Sequence, residues 1–172
     1  MSTLHLRQRL TEIAARDVGQ METTRNQGPA IAKFWTATSY AEGYANREPY
    51  CAAAVCYWVR EWLRDADVLA AMGRTAEQAA RWRCRSARAF DWLDWAATRG
   101  VRTLSDSAAS VLHTGDIVVF DFSHIGIVEN DNGSRIYTIE ANTGASGGRD
   151  GDGIFRKDRP REVARRFIRL LE

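Results

Sequence analysis

The sequence predicts an α+β fold in which N-terminal helices pack on a C-terminal antiparallel sheet. Up to about residue 100 the apolar residues recur at helical spacing, whereas from Gly115 onward they come in short β-branched runs broken by turn residues. Between two of those runs stands Asp131-Asn132-Gly133, a strong hairpin signal, so the neighbouring strands run antiparallel. The length of 172 residues fits one domain, taken as 1–172, large enough to bury a core without cross-links.

Residues 3–18 read as an amphipathic helix with Leu6, Leu10, Ile13 and Ala14 on one face, Thr3 as its cap and Gly19 as its end. Glu22 to Gly28 is a polar loop, and Pro29 starts a short helix to about Thr38 with Ile31, Phe34 and Trp35 inward. A loop from Ser39 to Arg47 leads to Glu48-Pro49-Tyr50-Cys51 and a buried helix from Cys51 to about Leu63. Trp58 and Trp62 on that helix read as core. Thr75-Ala76-Glu77-Gln78 is a capping box for a helix to about Cys84, whose flanking arginines read as a solvated basic face. Ser86 to Thr98 is a further helix stopped by Gly100, with Trp92 and Trp95 widening its apolar surface toward a groove. Strands follow at Asp116–Phe120, His124–Glu129 and Arg135–Glu140, the first buried on both faces by its composition. Thr143 to Gly153 carries five glycines and reads as a mobile loop; Asp150 and Asp152 within it fall short of a calcium signature, so no metal or cofactor is expected. Val163 to Leu171 is a strand or a short helix; its alternation settles neither.

Apolar residues at 45% and charged residues at 27% are the profile of a soluble globular protein. A formal charge of +2 is too small to argue for nucleic acid, and no run reaches membrane-spanning length. Three cysteines cannot close a disulfide framework, and at least one thiol is free, as suits a reducing cytosol. The N-terminal residues lack the basic start and apolar core of a signal peptide, so synthesis in the cytoplasm is expected.

The cysteine at a helix start is the candidate nucleophile. Unpaired N–H groups and the positive end of the helix dipole favour a thiolate at Cys51. Such a nucleophile needs a base. Of the three histidines, His5 and His113 occupy ordinary surface positions, while His124 begins a strand shortly before Gly126, which leaves room beside it. Glu140 and Asn142 interrupt an otherwise apolar strand and, two apart, share a face. Turn geometry decides whether that face meets His124. An Asn132-Gly133 loop of two residues pairs Asp131 with Ser134 and turns Glu140 away. A three-residue Asp131-Asn132-Gly133 loop with Gly133 left-handed pairs Asn130 with Ser134, setting His124 opposite Glu140 with Asn142 diagonal. The second loop suits these residues and is the expectation.

Taken together, Glu48-Pro49-Tyr50-Cys51-Ala52, Gly115-Asp116-Ile117-Val118-Val119-Phe120, Ser123-His124-Ile125-Gly126-Ile127-Val128 and Glu140-Ala141-Asn142-Thr143 resemble the CHAP family, cysteine, histidine-dependent amidohydrolases and peptidases. The family is papain-like in fold and related to the NlpC/P60 enzymes. Tyr50 stands where it usually has Trp and Ala141 where it often has Gly, departures outside the catalytic positions that bear on substrate preference. The resemblance implies Cys51 as nucleophile, His124 as base and later acid, Glu140 as the orienting carboxylate and Asn142 as a supporting polar group, with backbone N–H groups at the helix start holding the oxyanion. It further implies peptidoglycan as substrate and cleavage of an amide, by a phage endolysin or a secreted antibacterial effector. Action in the periplasm or wall then follows holin-dependent release or contact-dependent secretion, with an immunity protein or secretion component as partner in the effector case. A cysteine peptidase or amidase on another substrate, and a silent wall-binding module, are the alternatives.

Overall fold

The structure, a computed structural model, describes residues 2–107, 110–144 and 151–172. Helices α1 (Thr3–Ala15), α2 (Pro29–Trp35), α3 (Cys51–Trp62), α4 (Ala66–Ala71), α5 (Ala76–Trp82) and α6 (Asp91–Arg99) precede most of the sheet. The sheet has the order β1-β6-β2-β3-β4-β5, from β1 (Arg102–Leu104), β2 (Ile117–Phe120), β3 (His124–Asp131), β4 (Arg135–Thr143), β5 (Gly153–Pro160) and β6 (Ala164–Arg169). Every neighbouring pair is antiparallel, so the architecture is α+β.

Alternation along the central strands divides the interior in two. Ile117, Val119, Ile125, Ile127, Ile139 and Ala141 face the helices, where they meet Leu10, Phe34, Val55 and Trp58. Val118, Phe120, Val128 and Ile136 face the other way and pack with Phe167 and Leu112. Because β2 contributes to both, its four residues are all buried, as its composition predicted. Trp58 and Trp62 are core residues whose indole N–H groups donate to Asp17 Oδ2 and Leu6 O, each at 2.8 Å. The Gly115-Asp116 signature is structural: Asp116 is buried and accepts two bonds from Arg169, Nε to Oδ1 at 2.9 Å and Nη2 to Oδ2 at 2.6 Å.

Several expectations are corrected. Ser2, not Thr3, caps α1, its hydroxyl accepting from His5 N. The helix expected from Ser86 starts only at Asp91, because the Ser86 hydroxyl donates to the Asp91 carboxylate at 2.5 Å and accepts from Arg88 N, holding the chain in a turn. Cys84 is no solvated face: it is buried, and desolvation pushes its thiol up to about 11. Trp92 is buried and packs edge to face against the half-buried Trp95. The C-terminal segment resolves as strand β6, and the glycine-rich stretch ends in β5, an element that sequence reasoning did not anticipate. Asp150 and most of that stretch lie outside the described residues.

Candidate active site

Cys51 is the first residue of α3. Tyr50 before it is non-helical and offers no side-chain cap, while its carbonyl accepts from Ala54 N at 2.9 Å. The N–H groups of the first turn therefore have no helical acceptor and point toward the helix start. Cys51 is 7% exposed and opens onto a cleft of about 700 Å³ lined also by Trp35, Tyr40, Glu48, Phe90 and Ser123.

His124 is delivered by the β2–β3 turn. Phe120 pairs with His124 across Asp121-Phe122-Ser123, and Ser123 takes a left-handed φ of 59°. This is a three-residue loop ending in a left-handed residue. A non-glycine residue there costs roughly 1–2 kcal/mol, and it aims the chain so that His124 enters the strand buried. The imidazole stacks on Phe120 and Phe122, each 5.9 Å away between ring centres.

The β3–β4 hairpin corrects the expected register. Asp131 pairs with Ile136, and Asn132 N donates to Arg135 O at 3.1 Å, leaving Gly133 and Ser134 as a two-residue loop with Gly133 at φ 94°. Positive φ at the first of two loop residues is the glycine-first hairpin turn. The Asn132 carboxamide favours it by accepting from Ser134 N at 3.2 Å and Arg135 N at 2.9 Å. A bulge at Glu129, between the Val128–Thr138 and Asn130–Tyr137 pairs, then restores the parity. Glu140 consequently shares a face with His124, as expected, but stands opposite Gly126, two pairs further along.

Glu140 is fully buried, and its Oε2 lies 3.0 Å from His124 Nε2. The contact lacks the alignment of a straight hydrogen bond, and Nε2 has no other partner among the described residues. Thr138 Oγ1 donates to Glu140 Oε1 at 2.6 Å, and Arg159 donates from Nε to Oε1 at 3.0 Å and from Nη2 to Oε2 at 2.6 Å. Arg159 in turn lies over the Phe120 and Phe122 rings. Arg159 was missed, because β5 carries alternating charges with no apolar period and its pairing with β4 is invisible in the sequence.

Burial works against charge on both groups, and the neighbours outweigh it. Burial alone lowers the His124 imidazole, but the charge of Cys51 and its hydrogen bond, followed by Glu140, hold it up at about 9. Burial likewise raises Glu140, but its close contact with the His124 imidazole and the bonds from Arg159 bring it down to about 2. A charged imidazole beside an ionised Glu140 is the favoured state.

Asn142 follows on the same face, 2% exposed and left-handed at φ 57°. Its Nδ2 donates to Asn26 Oδ1 at 2.9 Å and to Gly151 O at 3.1 Å, and no bond to His124 is present. Of the four predicted residues, Cys51, His124 and Glu140 form one coupled group and Asn142 adjoins it. His5 is exposed, and His113 is half-buried with its Nδ1 2.7 Å from Arg7 Nη1, so neither belongs to the site. Among the described residues no cluster of three or more His, Cys, Asp or Glu is placed to hold a metal, and no helix is long and apolar enough to cross a membrane.

No curated protein matches the chain. Among solved structures, the crystal structure of Ly7917 with the hydrolyzing product of MDP is similar over 95% of this chain, at 16% identity and a TM-score of 0.38. The chain spans 62% of the length of that structure. A family match to the CHAP domain covers residues 39–142, more than half of the chain, and includes Cys51, His124, Glu140 and Asn142. The chain belongs to the CHAP domain family.

Proposed function

We propose that the protein is a cysteine-dependent amide hydrolase acting on peptidoglycan, with Cys51 as nucleophile and His124 as its acid–base partner. The observation that carries this reading is the buried approach of Glu140 to His124, at 3.0 Å, beside a cysteine at a helix start that opens onto a cleft. Membership in a family of amidohydrolases and peptidases supports the reaction class.

The chemistry follows from the charges. The Cys51 sulfur attacks the scissile carbonyl carbon, and the N–H groups at the start of α3 receive the developing oxyanion. His124, protonated and held so by Glu140, gives its proton to the leaving amine as the C–N bond breaks. Neutral His124 then takes a proton from water as the water oxygen attacks the thioester; the C–S bond breaks, the carboxylic acid leaves, and the protonated imidazole and free Cys51 sulfur of the starting state are restored. Glu140 stays ionised throughout, fixing the ring and offsetting its charge.

Peptidoglycan is the substrate because its stem peptides offer the amides that such a site cleaves. Release by a phage lysis system or delivery as an antibacterial effector, paired with an immunity protein, are the two settings proposed. The test is digestion of purified wall by wild type and Cys51→Ala, with mass spectrometry of the new ends. New amine and carboxyl ends that appear with wild type alone support the reading. An intact wall alongside cleavage of other peptide amides would move the substrate elsewhere.

A further inference from the structure

We propose that Asn26, in the loop before α2, is a positioning residue of this site: it fixes which end of the Asn142 carboxamide is free. The proposal rests on the reading of Cys51 and His124 given above.

Asn26 is 5% exposed and left-handed at φ 57°, one of four non-glycine residues with positive φ among the described residues. The other three are Arg47, Ser123 and Asn142. Ser123 precedes His124, and the remaining three are joined to one another by hydrogen bonds. Asn26 Nδ2 donates to Arg47 O at 2.7 Å, and Asn26 Oδ1 accepts from Asn142 Nδ2 at 2.9 Å. The Asn26 backbone N–H donates to Glu22 Oε2 at 2.7 Å. Strained backbone gathered in one network marks a position that the surroundings over-determine.

The polarity of this chain of amides runs one way. A backbone carbonyl only accepts, so Arg47 O requires the NH₂ end of Asn26. The Asn26 oxygen then faces Asn142 and requires its NH₂ end. Gly151 O takes the second proton of that group at 3.1 Å. Both Asn142 donors are thus committed, and its Oδ1 is left as a buried acceptor with no partner among the described residues. The buried Tyr50 hydroxyl, on the residue preceding Cys51, lies beside the Asn142 backbone and the Glu22 carboxylate. Asn26 therefore ties the end of β4, two residues past Glu140, to the segment that leads into the Cys51 helix. The end of Asn142 that it leaves uncommitted is an acceptor, not a donor.

A residue acting through Asn142 has no effect once Asn142 is gone, whereas a merely structural residue costs the same in either background. The probe is iodoacetamide, with alkylation at Cys51 followed by mass spectrometry in wild type, Asn26→Gly, Asn142→Ala and the double variant. His124→Ala serves as the unassisted thiol. Glycine keeps the left-handed backbone and removes only the side chain. Each single variant is expected to slow alkylation about tenfold, with the double variant no slower than Asn142→Ala. Losses that multiply, or an Asn26→Gly rate equal to wild type, overturn the proposal. A wild-type rate no faster than His124→Ala overturns the underlying reading of the site, and the proposal with it. Should thermal unfolding show that Asn26→Gly is not folded, Asn26→Asp takes its place. It keeps the acceptor for Asn142 and sets a carboxylate oxygen, in place of the donor, against Arg47 O, which costs stability but leaves the Asn142 carboxamide held as before, so the folded variant is expected within about threefold of wild type. A tenfold loss there also overturns the proposal.

Discussion

Glu140 stands directly across the β3–β4 ladder from Gly126, and its carboxylate passes over that residue to reach the His124 imidazole at 3.0 Å. A β-carbon on Gly126 would lie 2.8 Å from Glu140 Cγ and 2.8 Å from Ile139 O. The side chain of Glu140 can move away, but the backbone carbonyl cannot. Gly126→Ala is therefore expected to displace Glu140 from the imidazole. Stability should fall by about 1–3 kcal/mol from overpacking, and kcat by at least about tenfold as the acid–base partner loses its orientation. Urea titration and wall digestion measure the two. A variant as active as wild type would mean that Glu140 need not sit where it does.

Arg159 and Arg135 both project from strands β4 and β5 toward carboxylates, but in different surroundings. The Arg135–Asp158 pair is about half exposed, whereas Glu140 beside Arg159 is fully buried. Arg135→Met should cost no more than about 1 kcal/mol. Arg159→Met leaves a buried carboxylate with one cation fewer and should cost on the order of 3 kcal/mol. Chemical denaturation of the two variants side by side decides it, and equal costs would contradict the buried role given to Arg159.

Cys51 and Cys56 provide a matched pair on one helix. Cys51→Ala removes the nucleophile and should abolish hydrolysis while the fold is kept. Cys56 is fully buried, with its Sγ 3.3 Å from Ser86 O, and burial pushes its thiol well up. Cys56→Ala should keep most of the activity and lose about 1 kcal/mol of stability from the vacated volume. Residual hydrolysis by Cys51→Ala would end its assignment as nucleophile.

These contrasts show what the sequence can carry. Cys51 at a helix start and the burial of β2 on both faces follow from local period, whereas the shared face of His124 and Glu140 was expected from a loop that does not form. The exact partner across the hairpin was not legible, because two devices offset each other: a Gly133-Ser134 loop and a bulge at Glu129. Each alone reverses the face, and together they keep it. A bulge has no signature in Val128-Glu129-Asn130. The three-residue loop expected at Asp131-Asn132-Gly133 occurs instead before His124, where serine occupies the left-handed position that glycine usually marks. Asn26 and Arg159 were illegible for a related reason. Their partners lie 116 and 19 residues away, and only the folded chain brings them together.

The charge state of the site gives an expectation for pH. His124 is raised from an ordinary value of 6.5 to about 9, with burial opposing and Cys51 the foremost cause of the rise. A raised imidazole contributes stability that is fully present below pH 6.5 and lost as pH climbs through 9. Glu140 is lowered from 4.5 to about 2, so its contribution is fully present above pH 4.5 and lost as pH falls through 2. The two together are greatest between pH 4.5 and 6.5. Melting temperature measured from roughly pH 3 to pH 10 should decline on both sides of that window. In His124→Ala the alkaline decline should flatten, because the group that gains its proton on folding is gone. In Cys51→Ala it should still begin near pH 6.5 but be smaller and end at lower pH, since the foremost cause of the rise is removed while Glu140 remains. An alkaline decline unchanged in both variants would place its origin outside this site, and the charged imidazole held between Cys51 and Glu140 would have to be abandoned.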